Sequence, residues 1–220
     1  SLCMKNNYLK RLVLLFSLLL PLLSFAEQIA KTTIAENADR VSPILNGQMV
    51  PDVKVTQLDG KQLNLRALLA NKKTILFFYR GGWCPFCNTQ MGQLQQLESQ
   101  LKALGFQLFG ISTDSVSELQ QSIADRKLGY RLLSDYNSEV STAFGLSFFT
   151  SKMVTDRYLA KLNLANPLHK NIAGEKRLVL PVPAIYVIDE KGMVHFNYVN
   201  ANFRVRLAPE LLLQVAQLVK

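Results

Sequence analysis

Thr74-Ile75-Leu76-Phe77-Phe78-Tyr79-Arg80-Gly81-Gly82-Trp83-Cys84-Pro85-Phe86-Cys87 is the stretch whose reading decides the fold. Its first six residues are β-branched, aromatic and aliphatic with little alternation, as expected of a strand buried on both faces. Arg80-Gly81-Gly82 breaks the strand. From Cys84 the period becomes helical, with Cys87, Met91, Leu94, Leu97, Leu101 and Leu104 recurring every three or four residues. Both cysteines therefore fall where a strand turns into a helix, and Pro85 suits the first helical position.

A helix start leaves backbone N–H groups unpaired and carries partial positive charge. A thiolate at Cys84 would accept those N–H groups, and thiols so placed fall to about 3.5–7.5 from about 8.5. Cys87, one turn on, faces the same side and can close a disulfide with Cys84. Two structural alternatives stay open: half of a zinc site, or two inert core cysteines. Zinc needs two more ligands, and only His169 and His195 are at hand, singly and without paired spacing. The strand–CxxC–helix context favours redox chemistry.

Working outward, residues 1–26 read as a secretory signal peptide. Ser1-Leu2-Cys3 precede Met4 as a scar or upstream residues. Lys5, Lys10 and Arg11 form the basic segment, Leu12 to Leu23 the apolar core, and Ser24-Phe25-Ala26 the cleavage site. Pro21 and a run of about a dozen apolar residues argue against a membrane-spanning helix, with an uncleaved anchor as the alternative. Export to the periplasm or beyond is the expectation, with membrane contact only through this leader. The two cysteines left after the leader would be oxidised there, so a dithiol reductant is implied. The 220-residue chain has a formal net charge of +9. Its basic residues are spread rather than clustered, which reads as a solvated surface and not a nucleic-acid footprint.

Residues 27–46 read as a polar lead-in and residues 47–220 as one domain. Val53 and Val55, the turn Asp59-Gly60, and Leu63 and Leu65 form a hairpin, followed by a helical turn at 66–69. A second buried strand runs Phe106–Ser112. Ser115 to Glu118 is a capping box opening a helix that ends at Gly129. Arg131–Leu133 is a short strand, and Asn137 caps a short helix through Phe144. Leu146 to Leu180 departs from this rhythm and predicts one or two amphipathic helices, either a lid on the sheet or a dimer face or substrate-binding wall. Ala184–Ile188 and Met193–Val199 form an antiparallel pair, and Pro209 opens a last helix. Strands separated by helices of this length predict an α/β fold with a mixed, largely parallel sheet.

A strand, CxxC at a helix start, Val182-Pro183 before a later strand, and a closing hairpin and helix together resemble the thioredoxin-like fold. More specifically, residues from about Gly47 onward resemble the peroxiredoxin-like branch of the AhpC/TSA (redoxin) family. The resemblance rests on Pro51-Asp52-Val53, Leu58-Asp59-Gly60-Lys61, Phe78 through Cys87, Ile111-Ser112-Thr113-Asp114, Pro183 through Gly192, and Phe203-Arg204-Val205-Arg206-Leu207. It implies a thiol-dependent oxidoreductase in which Cys84 and Cys87 form the redox-active pair, without cofactor or metal. The substrate would be a peroxide, and a thioredoxin-type or other dithiol would restore the pair. The alternative is a protein disulfide reductase or isomerase, and a remoter one is a copper carrier of redoxin type. Arg80 is expected to lend charge to the thiolate, Trp83 to shield the sulfurs, and Pro85 to tune redox poise. Typical family members place Pro and Thr or Ser where this chain has Phe77 and Gly81, and Arg where it has Pro183. Pro183 instead matches the thioredoxin position whose cis peptide bond lies against the CxxC. That likeness predicts a cis Val182–Pro183 bond beside Cys84, the alternative being a trans proline opening a strand.

Overall fold

The computed structural model describes residue 31 and residues 33–219, so the leader and Cys3 lie outside the described residues. The apolar run beginning at Thr74 forms β3 (Lys73–Phe78), an interior strand of a seven-stranded sheet. Its neighbours in chain order are β1 (Lys54–Thr56), β2 (Gln62–Asn64), β4 (Phe106–Ser112), β5 (Arg131–Ser134), β10 (Ala184–Ile188) and β11 (Val194–Val199). The strand order is β11-β10-β3-β4-β5-β1-β2. Only β3–β4 and β4–β5 pair in parallel, and β10 joins β3 antiparallel, opposing Ala184 to Phe78 and Ile188 to Thr74. The sheet is mixed as expected, but it is not largely parallel. The closing β10–β11 hairpin and the opening β1–β2 hairpin sit at its two edges, and hairpins pair antiparallel.

Among the described residues six α-helices flank these strands: α1 (Leu65–Leu69), α2 (Pro85–Ala103), α3 (Val116–Arg126), α4 (Glu139–Ala143), α5 (Lys152–Leu162) and α6 (Pro209–Leu218). The two-residue alternation of β3 divides its side chains between two cores. Ile75, Phe77 and Tyr79 face the side where Met91, Leu94 and Leu101 of α2 pack with Leu212 and Ala216 of α6. Leu76 and Phe78 face Leu65 and Leu69 of α1, Val140 of α4 and Phe144. Ser115 and Glu118 form the capping box of α3. That helix ends in left-handed Lys127, two residues before the expected Gly129. Left-handed Ser138, not Asn137, caps α4.

The segment ahead of Gly47 also joins the core. Ile44 is fully buried, and Ser42 and Ile44 N–H groups donate to Gly145 and Phe144 carbonyls. The insertion between Leu146 and Leu180 holds one helix, α5. Its other elements are strands, β6 (Ser147–Phe149) paired with β9 (Val179–Pro181), and β7 (His169–Lys170) paired with β8 (Lys176–Arg177), joined by loops and a turn. Val179, Leu180 and Pro181 are too few and too β-prone to extend a helix, and Pro181 cannot sit inside one.

Gly110 of β4 shows how tightly the sheet backs α2. A Cβ there would lie 2.5 Å from Phe77 Cζ and 2.8 Å from Leu132 Cδ2. Gly110→Ala is therefore expected to destabilise the fold by about 1–3 kcal/mol, read as a lower urea midpoint with an unchanged slope.

Candidate active site

The strand-to-helix junction builds the site. Cys84 occupies the N-cap of α2 with extended backbone angles (φ −91°, ψ 113°), and Pro85 follows at the first turn. An N-cap side chain sits where the N–H three residues on points at it, and that residue is Cys87. Both cysteines are free thiols and fully buried by their own surface. The Cys87 thiol donates to Cys84, the backbone N–H of Cys87 adds a second donor, and Arg80 and Arg206 contribute positive charge. Together these outweigh burial and bring the Cys84 thiol down to about 6. Cys87 moves the opposite way. As the donor to Cys84, desolvated and beside its developing charge, it is held protonated far above the ordinary thiol range. Arg206 opposes that rise, with Nη2 3.4 Å from Cys87 Sγ and Nη1 donating to Gln90 Oε1 at 2.9 Å.

The loop before Cys84 is fixed by a polar clamp. Gly82 N–H donates to Asp114 Oδ2 at 2.8 Å, and its carbonyl accepts from Asn88 Nδ2 at 2.9 Å and Arg126 Nη2 at 3.1 Å. Burial raises the Asp114 carboxyl to about 6 against the pull of the Gly82 N–H. Gly81 has φ +152°, and a Cβ would fall 2.2 Å from Trp83 Nε1 and 2.8 Å from Asp114 Oδ1. A Thr or Ser at 81 could not be accommodated without moving Trp83, which explains the glycine at this position.

A cavity of about 240 Å³ opens onto Cys84. Trp83, Pro85 and Phe86 form one side; Tyr158 and Leu162 of α5, with Phe203, form the other. The insertion thus supplies a wall of the cavity. Trp83 packs edge-on against Tyr158 at 5.0 Å, and Phe86 against Phe203 at 5.6 Å. Arg157, Lys161 and Arg80 give the lining positive charge.

Of the residues singled out in the sequence, Cys84, Cys87, Arg80, Trp83 and Pro85 come together here. Pro183 does not. Among the described residues no peptide bond is cis, and Pro183 is absent from the lining of the Cys84 cavity. The chain enters β10 extended from β9, with Val182 N–H tied to the Leu146 carbonyl, so the trans alternative holds. Sequence reasoning did not assign Arg206, Tyr158, Phe203 or Asp114 to the site. Arg206 and Asp114 lay within the motif strings, yet nothing local marked which charged residue would reach a sulfur. Among the described residues no cluster of three or more His, Cys, Asp or Glu side chains is placed to hold a metal ion.

The architecture is that of a thioredoxin-like fold with a dithiol at its central helix start. Residues 46–197 match the model of the AhpC/TSA family, and the chain belongs to that family. It is 26% identical over 161 residues to a 1-Cys peroxiredoxin of Medicago truncatula, a match covering 69% of this chain and 63% of that protein. It is 29% identical over 106 residues to peroxiredoxin Bcp of Escherichia coli K12, covering 48% and 67% respectively. Among solved structures, reduced Prx3 of Vibrio vulnificus in complex with H2O2 superposes with a TM-score of 0.63 at 20% identity, covering 79% of this chain and 99% of that one. Peroxidoxin BcpB of Mycobacterium tuberculosis gives 0.58 at 21% identity, over 78% and 95%. These structural likenesses define the fold.

The ionisation of Cys84 is directly measurable. Thiolate ultraviolet absorbance of the reduced protein should rise with pH through about 6, a step that Cys84→Ser removes. Cys87→Ala, which deletes the thiol donor but keeps the N–H, should move the step to higher pH. An unchanged midpoint would mean that the Cys87 thiol does not hold the thiolate.

Proposed function

We propose that the protein is an exported, peroxiredoxin-like thiol peroxidase using Cys84 as nucleophile and Cys87 as resolving thiol. The observation that carries this reading is a thiolate-forming cysteine with no exposed surface of its own at an aromatic-lined cavity of about 240 Å³. A small peroxide can enter such a cavity, whereas a folded protein disulfide cannot reach the sulfur without opening it. The peroxiredoxin relatives support the same chemistry.

In the first step the Cys84 thiolate attacks one peroxide oxygen. The O–O bond breaks, Cys84 becomes a sulfenic acid, and the departing oxygen takes a proton to leave as water or an alcohol. Arg80 and Arg206 offset charge on the attacking sulfur. Oxidation of Cys84 then removes the negative charge and the acceptor that held Cys87 protonated. The Cys87 thiol becomes more acidic with Arg206 beside it, attacks the Cys84 sulfur, and displaces hydroxide, which takes up the Cys87 proton as water. The resulting disulfide is reduced by an external dithiol, and because both sulfurs are buried this requires the first turn of α2 to open. The leader at 1–26 would place the cycle outside the cytoplasm, where such a donor must be supplied.

A protein disulfide reductase is the second reading, resting on the CxxC at the helix start. Stopped-flow oxidation of the reduced protein by hydrogen peroxide and an organic hydroperoxide, beside insulin reduction, separates the two. Peroxide oxidation no faster than that of free cysteine would remove the leading reading. Cys84→Ser should abolish peroxide turnover, while Cys87→Ser should consume one equivalent and accumulate sulfenic acid, detectable with dimedone. Arg206→Met should prolong the sulfenic-acid lifetime about tenfold or more while slowing the first oxidation less, since its guanidinium contacts Cys87 rather than Cys84.

A further inference from the structure

Arg80 is buried to 6% exposure, and among the described residues only its Nη2 has an acceptor, the Tyr158 hydroxyl at 2.6 Å. Its Nε is buried without a hydrogen-bond partner. Among the described residues no carboxylate forms an ion pair with it. Phe203, Trp83 and Tyr158 surround the guanidinium, with ring centres 4.0, 5.1 and 5.5 Å away. Aromatic faces attract a cation but leave its N–H fork unsatisfied, and a buried charge without a hydrogen-bonded counter-ion is costly. The Cys84 thiolate supplies one negative charge to both buried Arg80 and half-buried Arg206, so one guanidinium charge is left without a counter-charge.

A second cavity, of about 250 Å³, shares Arg80, Tyr158 and Phe203 with the first but does not reach Cys84. Ala38, Phe148, Val154, Pro183 and Ala201 make most of the rest apolar, Thr150 and Ser151 add two hydroxyls, and no acidic side chain lines it. We propose that this cavity binds a small apolar carboxylate, its body against Phe148, Val154 and Pro183 and its carboxylate on the Arg80 guanidinium. A planar fork matches two carboxylate oxygens. Tyr158, whose oxygen accepts from Arg80, retains its own proton to donate.

The groups facing Cys84 are the Cys87 thiol and the Arg80 and Arg206 guanidiniums, with Arg157 and Lys161 of α5 lining the same cavity. A carboxylate on Arg80 withdraws part of that support, so ligand binding and Cys84 ionisation oppose one another, and the coupling is reciprocal.

The site is tested without peroxide turnover, so its failure leaves the peroxidase reading standing. The full reduced chain is titrated by calorimetry with cyclohexanecarboxylate and, separately, with its neutral amide. The carboxylate should bind saturably, and the amide at least about tenfold more weakly. Arg80→Gln and Val154→Trp, the latter filling the cavity while leaving Arg80 in place, should each weaken the carboxylate by about tenfold or more. Saturating carboxylate should move the Cys84 titration to higher pH in the parent chain but not in Val154→Trp. No saturable binding, equal binding of acid and amide, or parent-like binding by Val154→Trp would overturn the assignment.

Discussion

One sulfur carrying a negative charge in a buried position is the constraint on which this structure turns. Burial alone would keep Cys84 protonated, because a desolvated thiolate is disfavoured. The opposing donors come from the helix start itself, the thiol and the N–H of Cys87, and positive charge comes from Arg80 in the preceding loop and from Arg206 far along the chain. Cys87 is held neutral by the interaction that keeps Cys84 charged, so the two cysteines occupy complementary protonation states before any reaction occurs. The asymmetry couples the two ionisations: the second sulfur gains acidity only when the first has lost its charge.

Holding that arrangement needs a loop with little freedom. Arg80-Gly81-Gly82 must leave β3, turn under Trp83 and deliver Cys84 to the N-cap. Gly81 allows the positive φ and the close approach of Trp83 and Asp114, and the two polar backbone groups of Gly82 are taken up by three different elements. Because Asp114 lies just beyond β4 and Arg126 ends α3, the loop is tied to the scaffold and not only to its own helix. The insertion completes the site from the other side. Its α5 contributes Tyr158, which both packs on Trp83 and accepts from Arg80.

Much of this was legible in residue order. The unbroken apolar run of β3, the glycine break and the helical spacing from Cys84 follow from local periodicity and sterics, which act within a few residues. So do the capping box of α3 and the hairpins at either edge. The CxxC at a helix start identified both sulfurs and, through the unpaired N–H groups, which of them would ionise.

Tertiary structure decided what depends on distant segments meeting. Arg206 reaches Cys87 across 119 positions of chain, and no local pattern separates it from neighbouring Arg204. Pairing of β6 with β9, which draws Val182 and Pro183 into an extended entry to β10, could not be read from apolar residues equally suited to a helix. The antiparallel majority of the sheet arises from where the two edge hairpins attach. Sequence by itself singled out the thiol placed to ionise, because helix-end electrostatics are local. Only the fold decided that Arg206 joins Arg80 beside the sulfurs and what walls surround them, because long-range packing sets both.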